Sequence, residues 1–384
     1  MPMDTTQKTA ALHFLGQLQQ EYIRYGGVTP LGLRYRYHQK LAPSREAFEK
    51  VRSQMRGKGY SDQLASYDDF LKELEPVRQD YSRHEDIFNI SMLESLKKDL
   101  RRAFEFSRMA FPEQVVIGTA QTGQFNAMAT KPAAGSEVRV VLMDDGLFVF
   151  LNGLSKVVSM LFEKRAEGND LFSLSFHPDD IDRALAANTF AHEKFTDLLT
   201  AYFITGHSAG SKAFTPEHEH NLFAATLRET AELFILAHEY GHIVCGHLSG
   251  SPDQEQTVAD ELKIETWQIS WAKEFQADQF ACMMVIRFNH HLEDMTATLS
   301  FAGIRFLFAA LEMLSIAKGY QPLLTHPAPG QRMSRMVDSL YADTPDKALV
   351  DEMQQFGKSI LYVVHRLWEL NRQTIQSRID AARV

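Results

Sequence analysis

The sequence predicts a mainly helical α+β fold with a small β-sheet or hairpin and an N-terminal helical region. Three observations carry this. Apolar residues recur at helical spacing through the first 110 or so positions, for example over 5–25 and 61–75. A tract rich in β-branched and aromatic residues follows between Val115 and Leu151. From Thr215 onward the pattern is again helical to the C-terminus. With 384 residues, 45% of them hydrophobic, the chain can bury a large core. The divisions expected are an N-terminal helical region (1–112), a central unit (113–345) and a C-terminal helical segment packed on it (346–384).

Each element has a local reason. "SMLE" (Ser91–Glu94) reads as a capping box, starting a helix that runs to about Ala110, before Pro112. "QVVIGTAQTGQFNAMAT" and "EVRVVLMDDGLFVFLN" read as strands, and Asp145-Gly146 reads as a hairpin turn between Val138–Met143 and Leu147–Leu151. Both faces of these strands are largely apolar, so helices should cover them. "SKVVSMLFEKRAEG" reads as a helix ending near Gly168. Thr215-Pro216 reads as a helix start, proline being harmless at the first helical position. That helix should carry "NLFAATLRETAELFILAHEYGHIVCGHL" and stop near Gly250. Further helices are expected from about Ile269, over 297–317, and after "THPAPGQRM".

Charge and composition exclude some functions. The net charge is −9 and no dense basic block is present, which argues against binding nucleic acid or an anionic membrane. "KKDLRR" (Lys97–Arg102) has acidic neighbours and reads as a solvated helix face. The N-terminus lacks the basic start and apolar run of a signal peptide. The apolar run Ala297–Ala317 contains Arg305 and Glu312; a charge near mid-bilayer costs about 2.5–3.5 kcal/mol, so a buried helix is expected. Cys245 and Cys282 are the only cysteines and are expected to pack as small apolar residues. The expectation is a soluble, cytoplasmic protein.

One stretch carries chemistry. "AHEYGHIVCGH" contains His238, Glu239 and His242. On a helix His238 and His242 share a face and can bind one zinc ion. Glu239 lies about 100° round the axis, near the metal without being forced to ligate it, which suits a general base. A catalytic zinc takes three protein ligands. "EFQAD" supplies Glu274 as the third, with Asp278 four residues on and placed to accept the free ring N–H of a ligand histidine. His247 would lie about 140° from His242 on a continued helix, and reads as a surface or otherwise satisfied histidine.

The order His238-Glu239-x-x-His242, Glu274-x-x-x-Asp278, then "THPAPGQRM" with His326, Pro327 and Arg332 resembles two groups of gluzincin metallopeptidases. They are the HtpX and CAAX-prenyl-protease type and the soluble Lit-type phage-exclusion peptidases. The resemblance covers roughly residues 220–340. It implies a zincin-like catalytic core in 113–345 and one Zn2+ per chain, held by His238, His242 and Glu274. It implies Glu239 as catalytic base, Asp278 and Arg332 as supporting residues, and His326 as the oxyanion donor, with Tyr320 a weaker candidate for that role. The lack of flanking membrane helices favours the soluble branch. The function implied is hydrolysis of a protein or peptide substrate, most simply as an endopeptidase, with anti-phage defence or stress response as the setting. The alternative is a zinc-containing regulatory or binding protein without proteolytic turnover. A β-edge at 138–151 was an expected place for an extended substrate to lie.

Overall fold

The computed structural model describes residues 3–25, 45–56, 66–74, 81, 85–132, 136–168, 171–249, 266–290, 297–317 and 326–382. The fold is α+β and mainly helical, as the periodicity predicts. Among the described residues the first helices are α1 (Thr5–Tyr25), α2 (Arg45–Arg56), α3 (Tyr67–Leu74) and α4 (Ile87–Phe106). Helix α4 begins four residues before the expected cap. Asp86, not Ser91, holds its first turn, accepting from the Asn89 backbone N–H at 3.0 Å. The helix ends at Phe106, where Arg108 adopts a left-handed conformation (φ 54°) and its N–H donates to Glu105 O at 2.9 Å.

Three strands follow: β1 (Val115–Ala120), β2 (Ala127–Thr130) and β3 (Arg139–Asp144). They form one sheet in the order β1-β3-β2, with β3 parallel to β1 and antiparallel to β2. The strand residues alternate between two cores, so both faces are covered. Ile117, Val141 and Met143 enter the main core. Val116, Val140 and Leu142 pack instead with Ala11 and Leu15 of α1.

The hairpin expected at Asp145-Gly146 does not form. The chain passes from β3 into α5 (Asp145–Ser159), which buries Leu147, Phe148, Phe150 and Leu151. Gly146 serves close packing instead of a turn: a Cβ there would come within 1.9 Å of the Gly123 carbonyl oxygen. The Asp145 carboxylate accepts from the Gly123 N–H at 2.7 Å, tying the 121–126 segment to the start of α5. The helix expected to reach Gly168 ends at Ser159, and Lys164–Gly168 forms β4, paired antiparallel with β5 (Leu171–Leu174).

Then come α6 (Pro178–Ala187), α7 (Thr189–Thr205), α8 (His218–Val244), α9 (Thr266–His290), α10 (Ala297–Ala317), α11 (Pro329–Asp343) and α12 (Lys347–Ala382). Helix α8 starts just after Thr215-Pro216 and stops at Val244, six residues short of Gly250. It is the spine of the molecule, touching α4, α5, α9, α10, β2 and β3. Helix α10 is long and apolar enough to cross a membrane by length and composition. Here it lies packed against α8, α9 and α12, with Phe301, Ile304, Phe306 and Phe308 buried. The main core runs from Ile90 of α4 to Ile379 of α12.

Candidate metal centre

Helices α8 and α9 approach closely where the functional residues lie. Gly241, between the two histidines of the motif, makes this possible. A Cβ at Gly241 would stand 3.0 Å from Ala277 Cα and 3.1 Å from its carbonyl oxygen. Ala277 sits between Glu274 and Asp278, and is small for the same reason. Glycine costs a helix interior about 0.5–1 kcal/mol relative to alanine, and here it brings two backbones into contact.

Three donors converge at this crossing. His238 Nε2 and His242 Nε2 are 3.1 Å apart. Glu274 places Oε2 3.5 Å from His238 Nε2 and Oε1 3.4 Å from His242 Nε2. Donors about 2.0–2.2 Å from one tetrahedral ion lie about 3.3–3.5 Å from each other. The spacing of this group therefore fits a single small cation. Among the described residues, these three form a group able to hold a metal ion.

The surroundings bias the donors toward that role. His238 Nδ1 is 2.9 Å from Asp278 Oδ1. A carboxylate only accepts, so Nδ1 carries the proton and Nε2 presents its lone pair. Arg332 grips Asp278 in a two-pronged pair, Nε to Oδ2 at 2.7 Å and Nη2 to Oδ1 at 2.6 Å. Its Nη1 is 3.5 Å from Glu274 Oε2. Burial pushes Asp278 upward, but the Arg332 charge and hydrogen bonds outweigh it and hold the carboxyl below its ordinary range. Burial acts the same way on Glu274, where hydrogen bonds from His242 and His326 and nearby positive charge win, keeping it ionised.

Glu239 stands beside this group without belonging to it. Its carboxylate is buried, and burial raises its pKa, partly offset by His238, His242 and a backbone hydrogen bond from Ala129 of β2. A carboxylate tuned upward beside a metal site is suited to taking and returning a proton. His326 sits at the rim, its side chain half exposed, with Nδ1 3.4 Å from Glu274 Oε1. Helix α11 places Arg332: Pro329 occupies its first turn and the Gln331 side chain accepts the Ala328 N–H at 3.2 Å. Tyr320 lies outside the described residues. His238, Glu239, His242, Glu274, Asp278, His326 and Arg332 are thus brought to one place.

A cleft of about 700 Å³ opens from the donors. One side is Asn126–Ala129, leading into and along β2. The other is apolar, with Phe234 and Ile235 of α8 and Leu307, Phe308 and Leu311 of α10. The substrate-facing edge expected at 138–151 is corrected here: β3 is the central strand, 147–151 is helical, and the strand at the cleft is β2. This strand closes the tract "QVVIGTAQTGQFNAMAT" that reads as strand in the sequence.

His247 is a satisfied histidine outside the donor group, as expected, but not on a continued helix. Helix α8 ends before it, and Gly246, with φ 74°, reverses the chain. The His247 N–H then donates to His242 O and the Gly246 N–H to Ile243 O, at 2.9 and 3.1 Å. That pattern is the Schellman stop, and it folds His247 back over His242. Their Nδ1 atoms are 2.9 Å apart. The glycine after "HIVC" was the signal available in the sequence. Cys245 lies exposed at the same turn, unlike Cys282, which is buried as expected.

A buried two-histidine, one-carboxylate site with an adjacent free carboxylate defines a candidate metallohydrolase centre. Residues 205–353 are similar to the model of the family described as Peptidase U49. This match contains α8, α9, α10 and the His326–Arg332 segment, and supports a proteolytic function. No curated protein and no solved structure matches the chain.

Proposed function

We propose that this protein is a soluble zinc-dependent metallopeptidase that hydrolyses peptide bonds of a protein or peptide substrate. The observation that carries the reading is Glu239. It is buried against a three-donor site yet excluded from it, and a site serving only as structure has no use for such a group. The Peptidase U49 similarity over the same helices supports it.

His238, His242 and Glu274 would hold the zinc ion, which would supply a Lewis acid to polarise the scissile carbonyl and acidify water. The chain's own residues do the rest. Glu239 takes the proton of the attacking water and returns it to the leaving amine. Asp278, held by Arg332, keeps His238 in the tautomer that can ligate. His326, at the mouth of the cleft, donates to the developing oxyanion. The substrate lies extended along β2, the terminal strand of the order β1-β3-β2, by adding a strand to the sheet. The wall of α8 and α10 takes an apolar side chain. A cytoplasmic location and a role in stress or anti-phage defence belong to the same proposal.

The test is a comparison of protein termini in a host expressing wild type or Glu239→Gln. New termini should appear with wild type alone. Identical sets of termini in both would overturn the hydrolytic reading.

A further inference from the structure

We infer that His247 and Gln276 are positioning residues for the metal centre, holding His242 in the tautomer whose Nε2 lone pair faces His238 and Glu274. This rests on the metal-site reading above and adds a second support to it, at the rim of the site.

The assignment follows from counting protons. Gln276 Oε1 is 2.9 Å from His247 Nε2. A carbonyl oxygen only accepts, so His247 Nε2 carries the proton. A neutral imidazole has one N–H, so His247 Nδ1 is bare and can only accept. Its neighbour at 2.9 Å is His242 Nδ1, which must then be the donor. His242 Nε2 is left with its lone pair, 3.1 Å from His238 Nε2 and 3.4 Å from Glu274 Oε1. The chain Gln276–His247–His242 thus does at the rim what Asp278 does for His238 in the interior.

The backbone is built to deliver it. Gly246 in the left-handed conformation swings His247 onto the last turn of α8. Lys273 Nζ reaches the His247 carbonyl oxygen at 3.5 Å. Lys273 and Gln276 flank Glu274 on α9, so one helix supplies both the third donor and the groups that orient the second. An ordinary helix stop needs the glycine and the backbone hydrogen bonds. It does not need an imidazole aimed at a ligand, nor a carbonyl on its far nitrogen.

The test uses the full chain. Zinc affinity is measured by competition with a chromophoric chelator for wild type, His247→Ala, His247→Asn and Gln276→Ala. The cobalt(II)-loaded proteins are compared by proton NMR, where each ligand imidazole shows an exchangeable, paramagnetically shifted N–H. Wild type should show two such signals. His247→Ala should bind zinc about 10–100-fold more weakly and lose one signal to fast exchange. His247→Asn, whose Oδ1 takes the place of Nδ1, should restore both readouts. Gln276→Ala should weaken binding less, because water can replace an exposed carbonyl. Wild-type affinity with both N–H signals in His247→Ala would overturn the inference. So would a folded His247→Asn as weak as His247→Ala. Failure of wild type to take up a metal would instead remove the metal-site reading itself.

Discussion

His238 and His242, the two imidazoles of the donor group, are supported in opposite ways. His238 backs onto Asp278, which is fully buried and clamped by Arg332. His242 backs onto His247, a neutral partner near solvent that is held by an exposed glutamine. The interior support is ionic and closed; the rim support is neutral and open. Removing one member of a buried ion pair leaves the other uncompensated, whereas water can repair a rim hydrogen bond. The same centre should therefore respond very differently to damage on its two sides.

The largest effect is expected for Asp278→Ala. It strands the Arg332 guanidinium and frees the His238 tautomer, so stability should fall by about 3–5 kcal/mol and zinc affinity by about 10–100-fold. Denaturant melts and chelator competition measure the two. A stable variant with normal affinity would break the comparison on its interior side.

Gly241→Ala comes next, because it strikes the crossing that both supports share. Overpacking typically costs about 1–3 kcal/mol, more than the roughly 0.5–1 kcal/mol that alanine gains in helix propensity. The prediction is a net loss of stability together with weaker metal binding. A gain in melting temperature would show that α8 and α9 can part without harm.

This crossing was legible in the sequence, because spacings of four on two apolar helices fix which side chains meet. His238, His242, Glu274 and Asp278 fall where helical geometry puts them. The sheet was less legible. Asp145-Gly146 between apolar runs has the chemistry of a tight turn, and local sequence cannot reveal that Gly146 is needed for contact with Gly123, across the fold. His247 is the satisfied histidine expected, but it sits elsewhere than a continued helix would put it. A rotation of 140° holds only on a continuous helix, and Gly246 ends it. The tract containing β2 reads as strand in the sequence, but its place at the end of the sheet beside the cleft comes from its pairing with β3.

A further prediction sharpens the contrast between burial with and without hydrogen bonds, Glu232 having only the Arg228 guanidinium, 3.8 Å away. Glu232 lies on α8 six residues before His238, fully buried, and its Oε1 has no hydrogen-bond partner. Burial raises its pKa to about 8, the Arg228 charge offsetting only part; Asp278, equally buried but hydrogen-bonded by Arg332, is shifted down. Because the folded pKa of Glu232 lies above the unfolded one, its stabilising contribution is full below about pH 4.5 and is lost as pH rises through about 8. Glu232→Gln does not ionise. Its melting temperature should gain on wild type by roughly several degrees between pH 5 and pH 8. A constant difference across that range would contradict the assignment.

The central claim is that one ion is held by His238, His242 and Glu274, with Glu239 beside it but not bound to it. Metal content per chain, measured on purified wild type, Glu239→Gln and Glu274→Ala, tests this most directly. The account predicts one zinc for the first two and close to none for Glu274→Ala. Full zinc content in Glu274→Ala, or its loss in Glu239→Gln, would contradict it.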